Sequence, residues 1–441
     1  MARLLKAGAS SKSEMSSFEK ELERIGQMRF RGLEAFDVKE VLRLLLLLWF
    51  RGELEAFHLL NKILPFIGSR FRYVVHSGSD RNVFFFSANY KSRMDHRRLF
   101  DSTVRMAPDP SVISSERRLT IRPGHLKNIP NAISWYRALR NAGLPAEVCK
   151  VFIVYLVEAR NTLRWLNKSG ALEKAEYFIS LFDEYPDEVM IVQFCRKRGI
   201  KTAVLQHGAY PGSPSDWENI MTFPYLYAFS PSDRFFLWGD FWKERGVACG
   251  VDPSRLLVLG NPKFSENCNK NTALGSSRSL RTVGLVLDAN IEMNHESNRW
   301  LLDAIPHFCR QRGLRCIVRF HPNCDEQMKE EVRRTVDVEI DESASIRDFS
   351  SIIDVAVCAR STVYIELIYW GVPPLRYVSD TALDTYPEVS FGVFDNCDSL
   401  SKVFDCLEDG SSQIADEILA LKSSFFKTHL IKEGYREELT S

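Results

Sequence analysis

The sequence predicts an α/β fold built as two halves, each a mostly parallel sheet with helices packed on it, whose strand ends face a central crevice. Three observations carry this expectation. Residues 175–181, 186–198 and 201–206 read as strand, helix and strand. Pro186 suits a first helical turn and Gly199 stops the helix, and the crossover rule makes the two strands parallel neighbours. Residues 315–378 repeat the pattern as strand, His-Pro, helix, strand, Arg-Ser-Thr, helix and strand. Between these blocks, residues 265–281 are polar, rich in Asn, Ser and Gly, and without periodicity, which marks a linker.

At 441 residues the chain has room for two domains, and its 45% hydrophobic and 26% charged residues suit a globular protein. A net charge of +1 supplies no global field for nucleic acid. The ten cysteines include no Cys-x-x-Cys pair and none stands with histidines at zinc spacing. With no signal peptide in view, reduced thiols in a cytoplasm are expected. Residues 41–50 form an apolar run about half the ~20 residues that a spanning helix needs. Two readings are open: a buried helix, or a helix lying at the inner face of the cytoplasmic membrane, with Lys39, Arg43 and Arg51 on anionic headgroups.

In chain order, residues 1–20 are polar and expected to be a flexible terminus. The first domain, 21–264, starts with helical patterns over 17–28 and 37–64. Short strands follow at 72–75 and 82–86, then a polar loop, 87–96, that carries Tyr90, Lys91, Arg93 and His96. Loops at strand ends are where ligands are held. A helical insert covers about 128–167, within which 151–157 is buried as helix or strand. After the βαβ unit come strands at 225–229, 234–239 and 256–262. The second domain, 282–441, opens with a strand at 282–287, a polar loop and a helix over 296–310. It then adds strands at 315–320, 336–340 and 352–358, a helix over 363–370, and a last charged helix over about 411–433.

The candidate chemistry lies at strand ends. Pro322 cannot continue a sheet ladder, so the strand stops and leaves His321 at its carboxyl end. Ser361 or Thr362 falls where a helix begins, with unpaired N–H groups and the positive dipole end; an anion there gains roughly 0.3–1 kcal/mol. His321, Pro322, Ser361 and Thr362 therefore make a candidate phosphate site. His207 ends one strand of the first domain, while Asp183 and Glu184 end its neighbour. Each is a candidate general base, and a carboxylate there could instead orient His207. Asp341, Glu342, Ser345, Asp288 and Asn290 are candidates for holding a nucleoside. No Walker loop, no Gly-x-Gly-x-x-Gly after a strand, no Gly-x-Ser-x-Gly elbow and no metal-spaced His/Asp cluster occurs. ATPase, dinucleotide, serine-hydrolase and metal-dependent readings therefore lack their usual parts.

Four stretches resemble the bacterial cell-surface carbohydrate transferases of the GT-B fold, a group that includes sialyltransferases, capsule transferases and CDP-glycerol glycerophosphotransferases. They are Leu205-Gln206-His207-Gly208, Gly260-Asn261-Pro262-Lys263-Phe264, Phe320-His321-Pro322, and Ser361-Thr362 with its helix. The resemblance covers about 177–378 and implies two Rossmann-like domains, with acceptor on the first and nucleotide donor on the second. It implies that His321, Ser361 and Thr362 bind the donor phosphate. Sialyltransferases use a carboxylate base in an acidic motif ending in glycine, and here Tyr185 follows Asp183 and Glu184. The CDP-glycerol enzymes use a His-Gly histidine that resembles His207.

The resemblance thus implies a transferase that moves a nonulosonic acid (sialic, pseudaminic or Kdo-type) from a CMP-sugar to a bacterial surface glycan, and the lack of a metal-spaced cluster leads us to expect that it works without metal or cofactor. The acceptor glycan, free or lipid-linked, falls to Tyr90, Lys91, Arg93 and His96. The alternatives are a CDP-glycerol or other CDP-polyol donor, or a non-catalytic nucleotide- or glycan-binding scaffold of capsule assembly.

Overall fold

The computed structural model describes residues 11–50, 68–76, 81–88, 93–121, 128–209, 230–265, 280–288, 292–321, 324, 326–335, 338–343, 345–359, 361–379, 384–409 and 412–440. The chain divides into two compact units. The first comprises Met1–Leu237, Lys243–Lys263 and Leu430–Ser441; the second comprises Trp238–Trp242 and Phe264–His429. The last dozen residues thus leave the half in which the sequence placed them.

The first unit begins with α1 (Ser11–Gly26) and α2 (Val38–Phe50). Residues 11–20, expected to be flexible, are helical, and Phe18 and Ile25 are buried. In α2, Val41, Leu42, Leu45, Leu46 and Leu47 all enter the core. The apolar run is therefore a core helix, too short to span a bilayer. No described helix is long and apolar enough to cross a membrane. Next come β1 (Gly68–His76), β2 (Asn82–Phe86), α3 (Met94–Val104), β3 (Ser111–Ile121), α4 (Ile129–Asn141) and α5 (Ala146–Ser169). The ambiguous residues 151–157 are helical, inside α5, which Gly170 closes at φ 66°. Then follow β4 (Tyr177–Ser180), α6 (Pro186–Lys197), β5 (Lys201–Leu205), β6 (Arg234–Leu237), α7 (Asp240–Ala248) and β7 (Leu256–Val258). Gln193 on α6 binds the start of α2, accepting from Asp37 N at 2.8 Å and donating to Glu40 at 2.9 Å.

The sheet order is β1-β3-β2-β4-β5-β6-β7. All neighbours are parallel except β1 and β3, so the sheet is mostly parallel with one antiparallel edge strand. The expected strand at 225–229 lies outside the described residues. So do residues 51–64 of the second helical pattern and most of the linker.

The second unit contains β8 (Thr282–Val286), α8 (Glu292–Gln311), β9 (Arg315–Arg319), α9 (Glu326–Thr335), β10 (Glu339–Ile340), α10 (Ile346–Ser350), β11 (Val355–Cys358), α11 (Val363–Trp370), β12 (Pro374–Tyr377), β13 (Val393–Phe394), α12 (Cys397–Glu408) and α13 (Ser412–Phe425). Its sheet, β10-β9-β8-β11-β12-β13, is parallel throughout. Gly284 in β8 is required by packing, since a Cβ there would lie 2.6 Å from the Phe349 ring and 2.7 Å from Ile353. The single helix expected over 411–433 is two. After α13 the backbone turns through Leu430 at φ 54° and re-forms as α14 (Ile431–Thr440). That helix docks on the first unit, where the Tyr177 hydroxyl donates to Glu438 at 2.8 Å.

Candidate active site

Strands β2, β4 and β5 are adjacent and parallel, so the segments after them emerge at one edge of the sheet. Phe182 follows β4 and His207 follows β5, and Arg93, Asp95 and His96 start α3 after β2. The His207 ring lies on Phe182 with centroids 3.8 Å apart. The His96 ring stands at 75° to it, 5.5 Å away, and 5.3 Å from Phe182. Arg93 clamps Asp95 through two hydrogen bonds of 3.0 and 2.6 Å. His96 Nε2 is 3.7 Å from the same carboxylate. The sequence assigned His96 to a loop and to a different role from His207; the structure puts it in a helix, buried, beside His207.

His207 Nδ1 lies 3.4 Å from the Leu205 carbonyl. A carbonyl only accepts, so this contact favours the tautomer with the proton on Nδ1, which presents Nε2 as the acceptor. Burial lowers the His207 pKa to about 4; the Arg93 charge adds to this, while the Leu205 and Leu181 carbonyls and Asp95 oppose it. His96 is lowered to about 3, again mainly by burial, with the His207, Arg93 and Lys263 charges adding and Asp95 opposing. Burial works against the Asp95 carboxylate, but the Arg93 hydrogen bonds and neighbouring positive charge hold it below the usual range. At neutral pH the site therefore contains two uncharged imidazoles.

The carboxylates after β4 behave differently. Asp183 is 1% exposed. It accepts from the Ser230 hydroxyl and, at 3.1 Å, from Ser232 N. Arg255 grips the carbonyls of Ser230 and Ser232 at 3.0 and 2.6 Å. Asp183 thus anchors the chain entering β6, and burial raises its pKa against those bonds. Glu184 is half-buried and its Oε1 accepts no hydrogen bond among the described residues. Burial, then the Asp183 charge, pushes its pKa up to about 8.

In the second unit, His321 follows β9 and Ser361 follows β11. Only β8 separates these strands, so their backbones are about 10 Å apart. The His321 carbonyl accepts from Cys324 N at 2.9 Å. Ser361 Oγ accepts from Val363 N at 3.2 Å, whereas Thr362, the residue at the helix boundary, makes no side-chain cap bond. Asp341 is ion-paired with Arg319 and accepts from Ser343 N at 3.0 Å, so its carboxylate already serves the fold. Ser345 caps α10 through Asp348 N at 3.1 Å. Glu342 is 82% exposed, 3.7 Å from Arg333. Asp288 is buried, and its backbone exchanges hydrogen bonds with the Asn298 amide at 3.0 and 3.1 Å. Tyr90, Lys91, Asn290 and Pro322 lie outside the described residues. Among the described residues no group of three or more His, Cys, Asp or Glu side chains is placed to hold a metal ion.

No protein-family profile and no curated protein matches the chain. Solved structures do. A Listeria monocytogenes protein assigned as a UDP-N-acetylglucosamine 2-epimerase aligns at TM-score 0.50 and 11% identity, over 80% of this chain and 94% of that one. The fold is GT-B. The Methanocaldococcus jannaschii UDP-GlcNAc 2-epimerase, solved with UDP-GlcNAc and UDP, aligns at TM-score 0.49 and 13% identity, over 82% of this chain and 100% of that one. The wall teichoic acid polymerase TagF aligns at TM-score 0.46 and 11% identity, over 94% of this chain and 98% of that one. At such identities the likeness establishes the fold, and the reaction has to be argued from the residues.

Proposed function

We propose that this GT-B chain is a metal- and cofactor-independent transferase that moves a group from a cytidine-linked donor to a hydroxyl of a surface glycan, with His207 as the base. The observation that carries this reading is the His207 ring, seated against Phe182 with Nδ1 facing the Leu205 carbonyl. In the step proposed, the acceptor hydroxyl gives its proton to His207 Nε2, and its oxygen bonds to the donor's reacting atom. The bond from that atom to the CMP phosphate breaks, and CMP leaves. His321 and the hydroxyls of Ser361 and Thr362 would take the charge that develops on the departing phosphate, the kind of preorganised donation that favours a transition state.

The transferred group is a nonulosonic acid in the principal reading, as the resemblance in 177–378 implies. A polyol phosphate from a CDP donor is the second reading, and one observation favours it. Asp183, the counterpart of the sialyltransferase carboxylate, is 1% exposed and has one oxygen bonded to Ser230 and Ser232, which favours a histidine as the base. Asp288, Asn290, Asp341, Glu342 and Ser345 are proposed around the nucleoside, and Tyr90, Lys91 and Arg93 on the acceptor side. Of these, Asp341 and Ser345 are the least available. A lipid-linked acceptor would bring the chain to the inner face of the cytoplasmic membrane.

Screening CMP-sialic acid, CMP-Kdo and CDP-glycerol for CMP release, with product mass measured, separates the readings. His207→Ala is expected to lower turnover by about 10²–10⁴-fold. A variant with unchanged turnover would remove His207 as the base, and nucleotide binding without turnover on any donor would support a scaffold.

A further inference from the structure

The chain beyond His207 begins with Gly208, so the imidazole depends on its neighbours for orientation. The contacts that seat it include the Phe182 ring at 3.8 Å, the Leu205 carbonyl at 3.4 Å and the His96 ring edge at 5.5 Å. The first two come from the segment ends of β4 and β5, which the sheet itself holds. His96 comes from α3, whose first turn is fixed by the Arg93 clamp on Asp95. We infer that His96 is a positioning residue for His207, closing one side of its seat as a rigid aromatic edge rather than meeting the acceptor. This rests on the reading of His207 as the base.

The contact geometry supports a role for the ring itself. The edge of one aromatic ring against the face or edge of another is a preferred arrangement at these separations, and His96 meets both Phe182 and His207 in that manner. The groups facing the pair are Arg93 and Asp95 on α3, Lys263 after β7, and the carbonyls of Leu181 and Leu205. Burial keeps both rings uncharged together, and a charge on His207 disfavours one on His96. The pair therefore takes up one proton before two, as a base and an uncharged buttress require. Misplacing a reacting group by ~1 Å can cost about 10²-fold in rate, so removing the buttress should show in kcat.

The test compares His96→Ala with His96→Phe, which restores a ring without its nitrogens. Nitrogen-15 NMR of labelled histidine reads the His207 ring without any substrate, its signal assigned with His207→Gln. The wild type and His96→Phe are expected to show one Nδ1–H tautomer, and His96→Ala a mixture of tautomers. On whichever donor releases CMP, His96→Ala should lower kcat by about 10–100-fold with acceptor KM within about twofold, and His96→Phe should recover most of the loss. A His207 tautomer unaffected by either substitution would overturn the inference. So would a His96→Phe enzyme as slow as His96→Ala with raised acceptor KM, which would mean that His96 touches the acceptor. Loss of the base reading is a separate result, namely full turnover in His207→Ala. A thermal midpoint for each variant separates loss of folding from loss of positioning.

Discussion

Glu184→Gln tests the electrostatics of the strand ends directly. The carboxyl titrates at about 8 in the folded chain against an ordinary value of 4.5. Between those pH values the folded chain holds a proton that the unfolded chain has released. The stability tied to this proton is fully present below about 4.5 and is lost as pH rises through 8. Each pH unit inside that window is worth about 1.4 kcal/mol. Because part of the side chain reaches solvent, about 2–4 kcal/mol is the expected total by pH 8.5. The glutamine is uncharged at every pH, so the variant should match the wild type at pH 4.5–5 and exceed it by that amount at pH 8.5. Urea unfolding followed by tryptophan fluorescence at the two pH values measures the difference. A variant offset equal at both values would show that Glu184 is not held protonated and would refute the reasoning. Turnover of the variant should stay within a few-fold, because a carboxyl protonated at neutral pH is not the base.

The histidine pair has the opposite sign: with folded values near 4 and 3 against an ordinary 6.5, stability should be full above pH 6.5 and fall as pH drops toward 3. A His96→Phe, His207→Phe double variant should flatten that decline in acid unfolding curves. Gly284→Ala should destabilise the second unit by about 1–3 kcal/mol in urea titration, since its methyl group would overlap Phe349 and Ile353. Arg376 is 1% exposed, paired with Asp384, and donates to the Tyr386 and Val389 carbonyls. Arg376→Met should therefore cost about 3–5 kcal/mol, measured the same way.

Local pattern made much of the two sheets legible, although no strand was expected where β3 runs, over Ser111–Ile121. Residues 175–206 and 315–378 satisfy period, turn and crossover rules at once, and their strands and helices fall within a few residues of the expected bounds. What escaped was set by distant partners. The Arg93, Asp95 and His96 turn looks like polar loop in sequence, and becomes helical where Arg93 folds onto Asp95 and His96 packs on Phe182. The break after α13 carries no Gly or Pro. It arises where Trp242 Nε1 takes the Phe425 carbonyl at 3.1 Å and Lys427 N meets the Trp238 carbonyl at 2.6 Å. Asp341 and Ser345 stand at a strand end as a ligand site would require, but Arg319 and a helix start occupy them. Spacing alone does not distinguish a polar group that waits for a ligand from one that the fold has used.

The proposed choice of histidine over carboxylate as the base follows from a single physical effect. Removing water disfavours the charged form of any group, so it raises a carboxyl and lowers an imidazole. A general base has to be unprotonated before the acceptor arrives. The desolvation that keeps Glu184 protonated up to about pH 8 keeps His207 uncharged down to about pH 4. One environment thus removes the carboxyl from the task and leaves the imidazole ready for it. The depressed value also makes His207 a weak base in the resting site, and Brønsted behaviour penalises that. The Leu205 and Leu181 carbonyls and Asp95 already favour the protonated ring. In the proposed reaction the donor's negative charge would add to that pull and raise His207 toward working pH. If His207 titrates at the same pH with and without CMP or CDP, the base is not being tuned by its substrate, and the histidine reading loses its main physical support.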